Sequence, residues 1–259
     1  MTLPPIEAII ADLDGVVFRG AAPIASAVDA FAAWRAAGIP YAFVSNNSTK
    51  SPAEMAAKLT AMGVPATEEQ VVTSSTGTMR ALREGWPRGG KAVVLGAPSL
   101  EQAVEAAGFV LTEDADADCV VVGLDRDLTY RRLDRAVAAV LAGAAFIGTN
   151  ADRLIPESGH FAPGAGAMIA AVAAATGVTP RIIGKPGPDL IEEAIVRLGV
   201  ARDRVIMIGD QVATDIAAAR AAGVFAVLVE TGVANPLPHV PEPDLTLADL
   251  TSLRPPLAA

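Results

Sequence analysis

The chain has 259 residues, of which 52% are hydrophobic and only 4% aromatic, and its formal net charge is -9. This length suits one large α/β domain or two smaller ones. The acidity and the absence of a Lys/Arg cluster argue against a surface for nucleic acid or anionic membrane, although a small phosphate substrate would need only local positive charge.

Residues 6–20 begin with an apolar run that predicts a buried strand of a parallel sheet. The run leads into Asp12 and Asp14, and Gly15 follows. Side chains two residues apart on a strand share a face, so a strand continuing that far would bring both carboxylates into one small volume. A divalent cation would relieve their repulsion. Because the motif is so short, the alternative interpretation is that Asp12 and Asp14 are ordinary turn residues ahead of a glycine.

Predicted strands and helices alternate along the chain, which is typical of parallel sheets covered by helices. They include helices at 130–141, 189–198 and 214–222 and strands at 145–148 and 225–229. We therefore predict an α/β fold: a Rossmann-like, doubly wound parallel-sheet core with an inserted smaller α/β cap domain. A Gly/Pro break at 84–90 and a return near Lys185 set the boundaries. The core would comprise residues 1–83 and 181–259, and the cap residues 84–180. Within the cap, residues 150–166 are predicted to form a long loop.

Polar residues follow three of the predicted strands, and strand ends of a doubly wound sheet meet in one crevice. Each residue alone is more often a turn residue or a solvated charge, but their joint placement is specific. Carboxylates without nearby His or Cys favour Mg²⁺ over zinc. Together with a lysine and a hydroxyl-amide cluster, such a metal would clamp a phosphoryl group, and a free carboxylate could attack its phosphorus. The residues concerned are Asp12, Asp14, Ser45, Asn46, Asn47, Lys185, Asp210 and Asp215.

Four segments resemble the motifs of the haloacid dehalogenase (HAD) superfamily of phosphatases. They begin at Asp12 (DLDGVV), Ser45 (SNN), Gly184 (GKP) and Gly209 (GDQVATD). The large insert between the second and third motifs resembles the NagD / p-nitrophenyl phosphatase branch, which has a large α/β cap (subclass IIA). Segments at 122–130, 143–150 and 163–166 are similar to cap sequences of that branch.

The resemblance implies a role for each motif residue. Asp12 would be the nucleophile and Asp14 the general acid/base, while Ser45 and Lys185 would hold the transferring phosphoryl group with help from the Asn46 amide. Mg²⁺ would be bound by Asp12, Asp210 and the backbone carbonyl of Asp14. Asp215 and Asn47 would form a second layer of residues around these groups. In that layer, Asp215 would orient Lys185 or a metal-bound water.

The insert would act as a lid that excludes water and contacts the leaving group. Its loop at 150–163 would select the substrate through Asp152, Arg153 and His160, although exposed polar residues are the alternative reading of any loop. The single cysteine, Cys119, lies in an apolar run and is interpreted as an inert core residue.

The sequence therefore predicts a Mg²⁺-dependent phosphatase that hydrolyses small-molecule phosphate monoesters through an aspartyl-phosphate. A phosphotransferase or phosphomutase on the same scaffold, and a non-catalytic module that binds a phosphate ligand, are the alternatives. The expected partner is a small phosphorylated metabolite rather than nucleic acid or membrane, and a homodimer through the cap is left open. With no signal peptide recognisable, a cytoplasmic location is expected.

Overall fold

The computed structural model describes residues 5–157, 159–232 and 234–255, so the outermost residues of the predicted core, 1–4 and 256–259, lie outside the described part. The strands are β1 (Ala8–Ala11), β2 (Phe18–Arg19), β3 (Ala22–Pro23), β4 (Tyr41–Ser45), β5 (Val71–Thr73), β6 (Gly90–Leu95), β7 (Phe109–Leu111), β8 (Cys119–Val122), β9 (Ala145–Gly148), β10 (Leu154–Glu157), β11 (His160–Pro163), β12 (Arg181–Ile182), β13 (Val205–Gly209), β14 (Phe225–Val229) and β15 (Leu245–Leu247). The α-helices are α1 (Ala25–Ala36), α2 (Pro52–Ala61), α3 (Ser74–Gly85), α4 (Pro98–Ala106), α5 (Tyr130–Leu141), α6 (Ala165–Thr176), α7 (Asp189–Leu198) and α8 (Ala217–Ala222).

The first of two compact units comprises Met1–Ser45, Pro52–Val72 and Lys185–Ala259. Its sheet has six strands in the order β15-β14-β13-β1-β4-β5. β1 pairs in parallel with β13 on one side and with β4 on the other, and Ala11 is aligned with both Ile208 and Phe43. The order therefore reverses at β1, and the residues that follow β1, β4 and β13 all leave the sheet at the same edge.

An aromatic cluster forms part of the core of this first unit. The Phe31 ring lies 4.7 Å from Trp34 and 5.0 Å from both Tyr41 and Phe43, measured between ring centroids. The Trp34 indole donates a hydrogen bond of 2.9 Å to the carbonyl of Leu253, so its one polar group is satisfied inside the core. These contacts join α1 to β4 and to Leu253, which lies near the end of the described chain.

The second compact unit comprises Asn46–Ser51 and Thr73–Gly184. Its parallel sheet has the order β12-β9-β8-β6-β7. The unit has its own core, in which Val120 and Val122 of β8 pack with Ala136 of α5 and Val172 of α6. The predicted α/β insert with a sheet of its own is thus present as a separately packed unit.

Two elements assigned to the core by sequence group with the second unit in the structure. β12 pairs with β9, and Arg83 of α3 donates a hydrogen bond of 2.8 Å to the carbonyl of Ala106. The compact units accordingly change at residues 73 and 185 rather than at 84 and 181. The Gly/Pro break at 84–90 marks the end of α3, not the point where the contacts change.

The predicted long loop at 150–166 was wrong in part, because it contains the antiparallel hairpin of β10 and β11. Glu157 pairs with His160 and Leu154 with Pro163. Gly159 lies in the hairpin turn with φ +83, a left-handed conformation that suits glycine. The sequence did not predict this hairpin because both strands contain a proline, a residue that usually argues against a strand.

The Cys119 side chain is fully buried in β8. Burial raises the pKa of its thiol to about 12, and Asp118 adds to the effect. The prediction of a core cysteine is confirmed. In the part of the chain that the structure describes, no helix combines the length and apolar composition needed to cross a bilayer.

Phe31→Ala is expected to lower the free energy of unfolding by about 3–5 kcal/mol, because it leaves a cavity between three aromatic neighbours. Phe161→Ala is the matched control: that ring is 70% exposed, and its loss should cost no more than about 0.5 kcal/mol. Chemical denaturation of both variants measures the difference, and equal losses would contradict the placement of Phe31.

Candidate active site

Asp12 follows β1 directly and is held by the parallel ladder. Its backbone N–H donates a hydrogen bond of 2.8 Å to the carbonyl of Ile208 in β13, and the residue is only 7% exposed. β1 ends at Ala11, however, so the argument that Asp12 and Asp14 share a strand face does not apply. Asp14 lies in the turn after the strand and is exposed.

Lys185 provides the central contact of the site. Its buried Nζ lies 2.5 Å from Oδ1 of Asp12 and 2.6 Å from Oδ1 of Asp215. Residues 173 and 30 positions away in the sequence are thereby joined through a single ammonium group. The fold thus converts widely separated motifs into one charged cluster.

Asp210 and Asp215 come from the end of β13 and the turn that follows it. The second carboxylate oxygen of Asp215 accepts the backbone N–H groups of Asp210 (3.2 Å) and Gln211 (3.0 Å). Val212–Ile216 forms a π-helical turn, not the start of a regular helix as sequence predicted for 214–222. The wide turn directs Asp215 back towards the strand end, and such turns often occur at functional sites.

Two glycines leave space for the carboxylate of Asp210. A Cβ atom at Gly15 or at Gly232 would overlap that carboxylate, and Gly15 also adopts φ +82. Glycine is therefore required at both positions for the carboxylate to lie where it does. Sequence reasoning noted Gly15 only as the glycine that follows two possible turn residues, and it missed Gly232.

The carboxylates of Asp12, Asp210 and Asp215 each offer an oxygen within 4.8 Å of the others, and all three residues are buried. Burial raises the pKa of Asp12 well above its usual range; Lys185 opposes this shift, whereas Asp215 and Asp210 add to it. Burial lowers the pKa of Lys185, but Asp12 and Asp215 outweigh it and the pKa lies above its ordinary value. Lys185 therefore stays protonated.

The donor set of this cluster fits Mg²⁺. The candidate ligands are hard carboxylate oxygens, with neither His nor Cys in the group. In their ionised forms, three carboxylates and one ammonium also sum to two negative charges, which a divalent cation would neutralise. Asp12, Asp210 and Asp215 together offer oxygens that could hold such an ion, and both Asp12 and Asp215 also contact Lys185.

The S-N-N motif follows the end of β4. Ser45 is buried and is the last residue of that strand. Asn46 and Asn47 belong to the second compact unit, where the Asn47 side-chain carbonyl accepts hydrogen bonds from the backbone N–H (2.7 Å) and hydroxyl (3.0 Å) of Thr49. Asn47 thus shapes the turn that leads to α2.

The three predicted specificity residues lie at the hairpin of β10 and β11. Arg153 and His160 are exposed, whereas Asp152 is half-buried and accepts a hydrogen bond of 3.2 Å from the Asn46 side chain. Neighbouring Glu157 pairs with Arg126. Selection of the substrate by this hairpin stays a prediction.

Sequence reasoning missed Asn235, which supports the backbone around Asp210 directly after β13. Its side chain donates a hydrogen bond of 2.6 Å to the carbonyl of Asp210 and accepts one of 2.7 Å from the N–H of Val212. The nearby Thr231 hydroxyl similarly donates to the carbonyl of Gly15 at 2.6 Å. Neither residue belongs to a recognisable motif, so only the fold reveals them.

Comparisons with known proteins agree with this arrangement. A family model described as haloacid dehalogenase-like hydrolase matches residues 9–110, and a HAD-hydrolase-like model matches residues 182–253. An acid sugar phosphatase of Staphylococcus saprophyticus is 40% identical over 227 residues, which is 88% of this chain and 87% of that protein.

Solved structures of phosphatases are similar over nearly the whole chain. A thermostable NPPase double mutant from Geobacillus stearothermophilus has a TM-score of 0.91 at 35% identity, covering 96% of this chain and 98% of that one. A glycerol phosphate phosphatase from Mycobacterium tuberculosis, in complex with magnesium, has a TM-score of 0.88 at 32% identity, covering 98% and 79%.

A doubly wound parallel sheet with buried carboxylates and a lysine near its strand ends, together with an α/β insert, is the arrangement of a hydrolase with a Rossmann-like core. The chain belongs to the haloacid dehalogenase-like hydrolases, and its structural neighbours are phosphatases of the p-nitrophenyl phosphatase branch. It is a phosphoric monoester hydrolase.

Gly15→Ala is expected to reduce phosphatase activity on the order of 100-fold, because the new Cβ displaces the Asp210 carboxylate and small misplacements are costly. Gly20→Ala is the matched control. Gly20 also has a left-handed φ, +59, but nothing lies within 4 Å of its added Cβ. Steady-state kinetics with p-nitrophenyl phosphate compares the two variants, and similar losses in both would attribute the effect to backbone strain alone.

Proposed function

We propose that this phosphatase depends on Mg²⁺ and hydrolyses small phosphate monoesters through an aspartyl-phosphate formed on Asp12. The observation that carries the proposal is the Lys185 ammonium between Asp12 and Asp215, with Asp210 in the same buried group. The negative charge of this group matches a site for a divalent cation and is otherwise costly to bury.

In the first step, a carboxylate oxygen of Asp12 bonds to phosphorus as the bond from phosphorus to the leaving oxygen breaks. Asp14 donates a proton to that oxygen, and its exposure suits a group that exchanges protons with water. In the second step Asp14 takes a proton from water, the water oxygen bonds to phosphorus, and the bond to Asp12 breaks to release orthophosphate.

The remaining residues hold charge and position. Lys185 contacts the attacking carboxylate of Asp12 and stabilises its ionised form. The Ser45 hydroxyl, the Asn46 amide and Lys185 are the proposed ligands of the phosphoryl group. Asp12, Asp210 and the backbone carbonyl of Asp14 would hold Mg²⁺, which when bound neutralises charge on the phosphoryl oxygens.

The substrate class is proposed from the relatives. The acid sugar phosphatases of Staphylococcus and the glycerol phosphate phosphatase of Mycobacterium tuberculosis have names that point to phosphorylated sugars and polyols. We therefore propose small polyhydroxylated phosphate esters as substrates. A panel of sugar phosphates, glycerol phosphate, phosphoglycolate and nucleoside monophosphates, assayed for orthophosphate release without added acceptor, tests this class and also separates hydrolysis from phosphotransfer.

Asp12→Asn is expected to abolish orthophosphate release, because an amide cannot attack phosphorus in place of the carboxylate. Asp29→Asn is the matched control in the same compact unit, since Asp29 is exposed. Removal of Mg²⁺ by a chelator should eliminate wild-type turnover, and added Mg²⁺ should restore it. Unchanged turnover in Asp12→Asn would refute the nucleophile, and chelator-resistant turnover would refute the metal.

Asp14→Asn is expected to slow turnover by about 10²–10⁴-fold, because the variant cannot donate or accept the proton. The loss should be larger for alkyl phosphates than for p-nitrophenyl phosphate, whose leaving group needs little protonation. Comparing kcat for the two kinds of ester measures this dependence, and an equal loss on both would argue against the acid role.

A further inference from the structure

Asn46–Ser51 links the strand end of the first compact unit to the second compact unit. Ser45 is the last residue of β4 in the first unit, whereas Asn46 already belongs to the second. Side chains of the second unit hold the backbone and the amide of Asn46, the residue directly after the proposed phosphate-binding Ser45.

Two backbone carbonyls of this segment are held by side-chain donors. The carbonyl of Asn46 accepts from the Ser74 hydroxyl at 2.7 Å and from the Asn150 amide at 2.8 Å. The carbonyl of Ser48 accepts from the hydroxyls of Ser99 at 2.7 Å and Ser75 at 3.0 Å. A carbonyl oxygen has two lone pairs, so each one is engaged twice and the peptide planes are fixed.

Asp152 holds the side chain of the same asparagine. Its Oδ2 accepts a hydrogen bond of 3.2 Å from Nδ2 of Asn46, while its own N–H donates to Oδ1 of Asn150 at 3.1 Å. Asn150 and Asp152 therefore act as one connected pair, with Asn150 on the backbone of Asn46 and Asp152 on its amide. Because an amide group is planar, the hydrogen bond to Asp152 restrains the orientation of the Asn46 amide plane.

We propose that Asp152 is a positioning residue that presents the Asn46 amide for phosphoryl binding, rather than a residue that contacts the substrate. The inference rests on the proposed function, in which Asn46 helps to hold the phosphoryl group. It assigns Asp152 a positioning role towards Asn46, a residue of the same compact unit. Asp152 thereby differs from exposed Arg153 and His160, with which the sequence analysis grouped it.

A double-mutant cycle of Asp152→Ala and Asn46→Ala tests the proposal. The measured quantities are kcat and KM for p-nitrophenyl phosphate, the inhibition constant of orthophosphate, and Tm. Asp152→Ala should raise KM and the orthophosphate inhibition constant by about 3- to 10-fold, the range of one hydrogen bond. In the Asn46→Ala background the same substitution should add nothing, since Asp152 would act only through that amide.

Two further variants separate positioning from charge and from stability. Asp152→Asn keeps an acceptor oxygen and should recover most of the lost phosphate affinity. Asp114→Ala is the matched control, because Asp114 is an exposed acid of the same unit that accepts a side-chain hydrogen bond from Thr112 at 3.2 Å. It should leave KM and the inhibition constant unchanged. If Asp152→Ala does not fold, Asp152→Ser, whose shorter side chain ends farther from Asn46, replaces it in the cycle.

Equal effects of Asp152→Ala in the wild-type and Asn46→Ala backgrounds would overturn the proposal, as would an Asp152→Asn variant as impaired as Asp152→Ala. Wild-type kinetics in Asn46→Ala would overturn it as well. Failure of the proposed function has a different signature, namely turnover in Asp12→Asn. An inactive Asp12→Asn together with an additive cycle would therefore reject only the role of Asp152.

Discussion

The buried contact of Lys185 with Asp12 and Asp215 is the interaction on which the site depends. Carboxylates as close as these repel one another, and their burial removes the water that would otherwise solvate them. A lysine between two of them offsets part of that cost and stays protonated because both partners stabilise its charge. The remaining negative charge makes the group suited to a hard divalent cation, so structural pairing and proposed catalysis use the same atoms.

Backbone geometry brings these charges together. β1 and β13 are neighbouring parallel strands, so Asp12 and Asp210 follow them at one edge of the sheet. Gly15 and Gly232 then allow the Asp210 carboxylate to lie against bare backbone, and Asn235 holds the carbonyl of the same residue. The position of Asp210 directly after β13 is therefore determined by a hydrogen bond to its carbonyl and by the absence of side chains at the two neighbouring glycines.

Much of the fold could be predicted because apolar residues recur with the period of a helix or a strand, and because glycines mark where helices end. α5, α7, β9 and β14 have the predicted bounds, with glycines directly after or close to each helix end. Asp12, Lys185 and Asp210 were grouped because strand ends of a parallel sheet converge. The hairpin of β10 and β11 was hidden by its prolines. The burial difference between Asp12 and Asp14 was missed because β1 ends at Ala11, three residues before Asp14, whereas a shared strand face requires a strand that reaches Asp14. Asn235 acts through tertiary contacts that leave no local pattern.

The π-helical turn at Val212–Ile216 has a consequence for how this segment can vary in length. A π turn contains one residue more than an α turn, and successive residues of a regular helix are rotated by about 100°. Deleting one residue between Asp210 and Asp215 would replace the π turn by an α turn and rotate Asp215 away from the Lys185 ammonium that it contacts. Substitutions that preserve the spacing would spare that contact. The segment is therefore constrained by its residue count more than by the identity of the residues between Asp210 and Asp215.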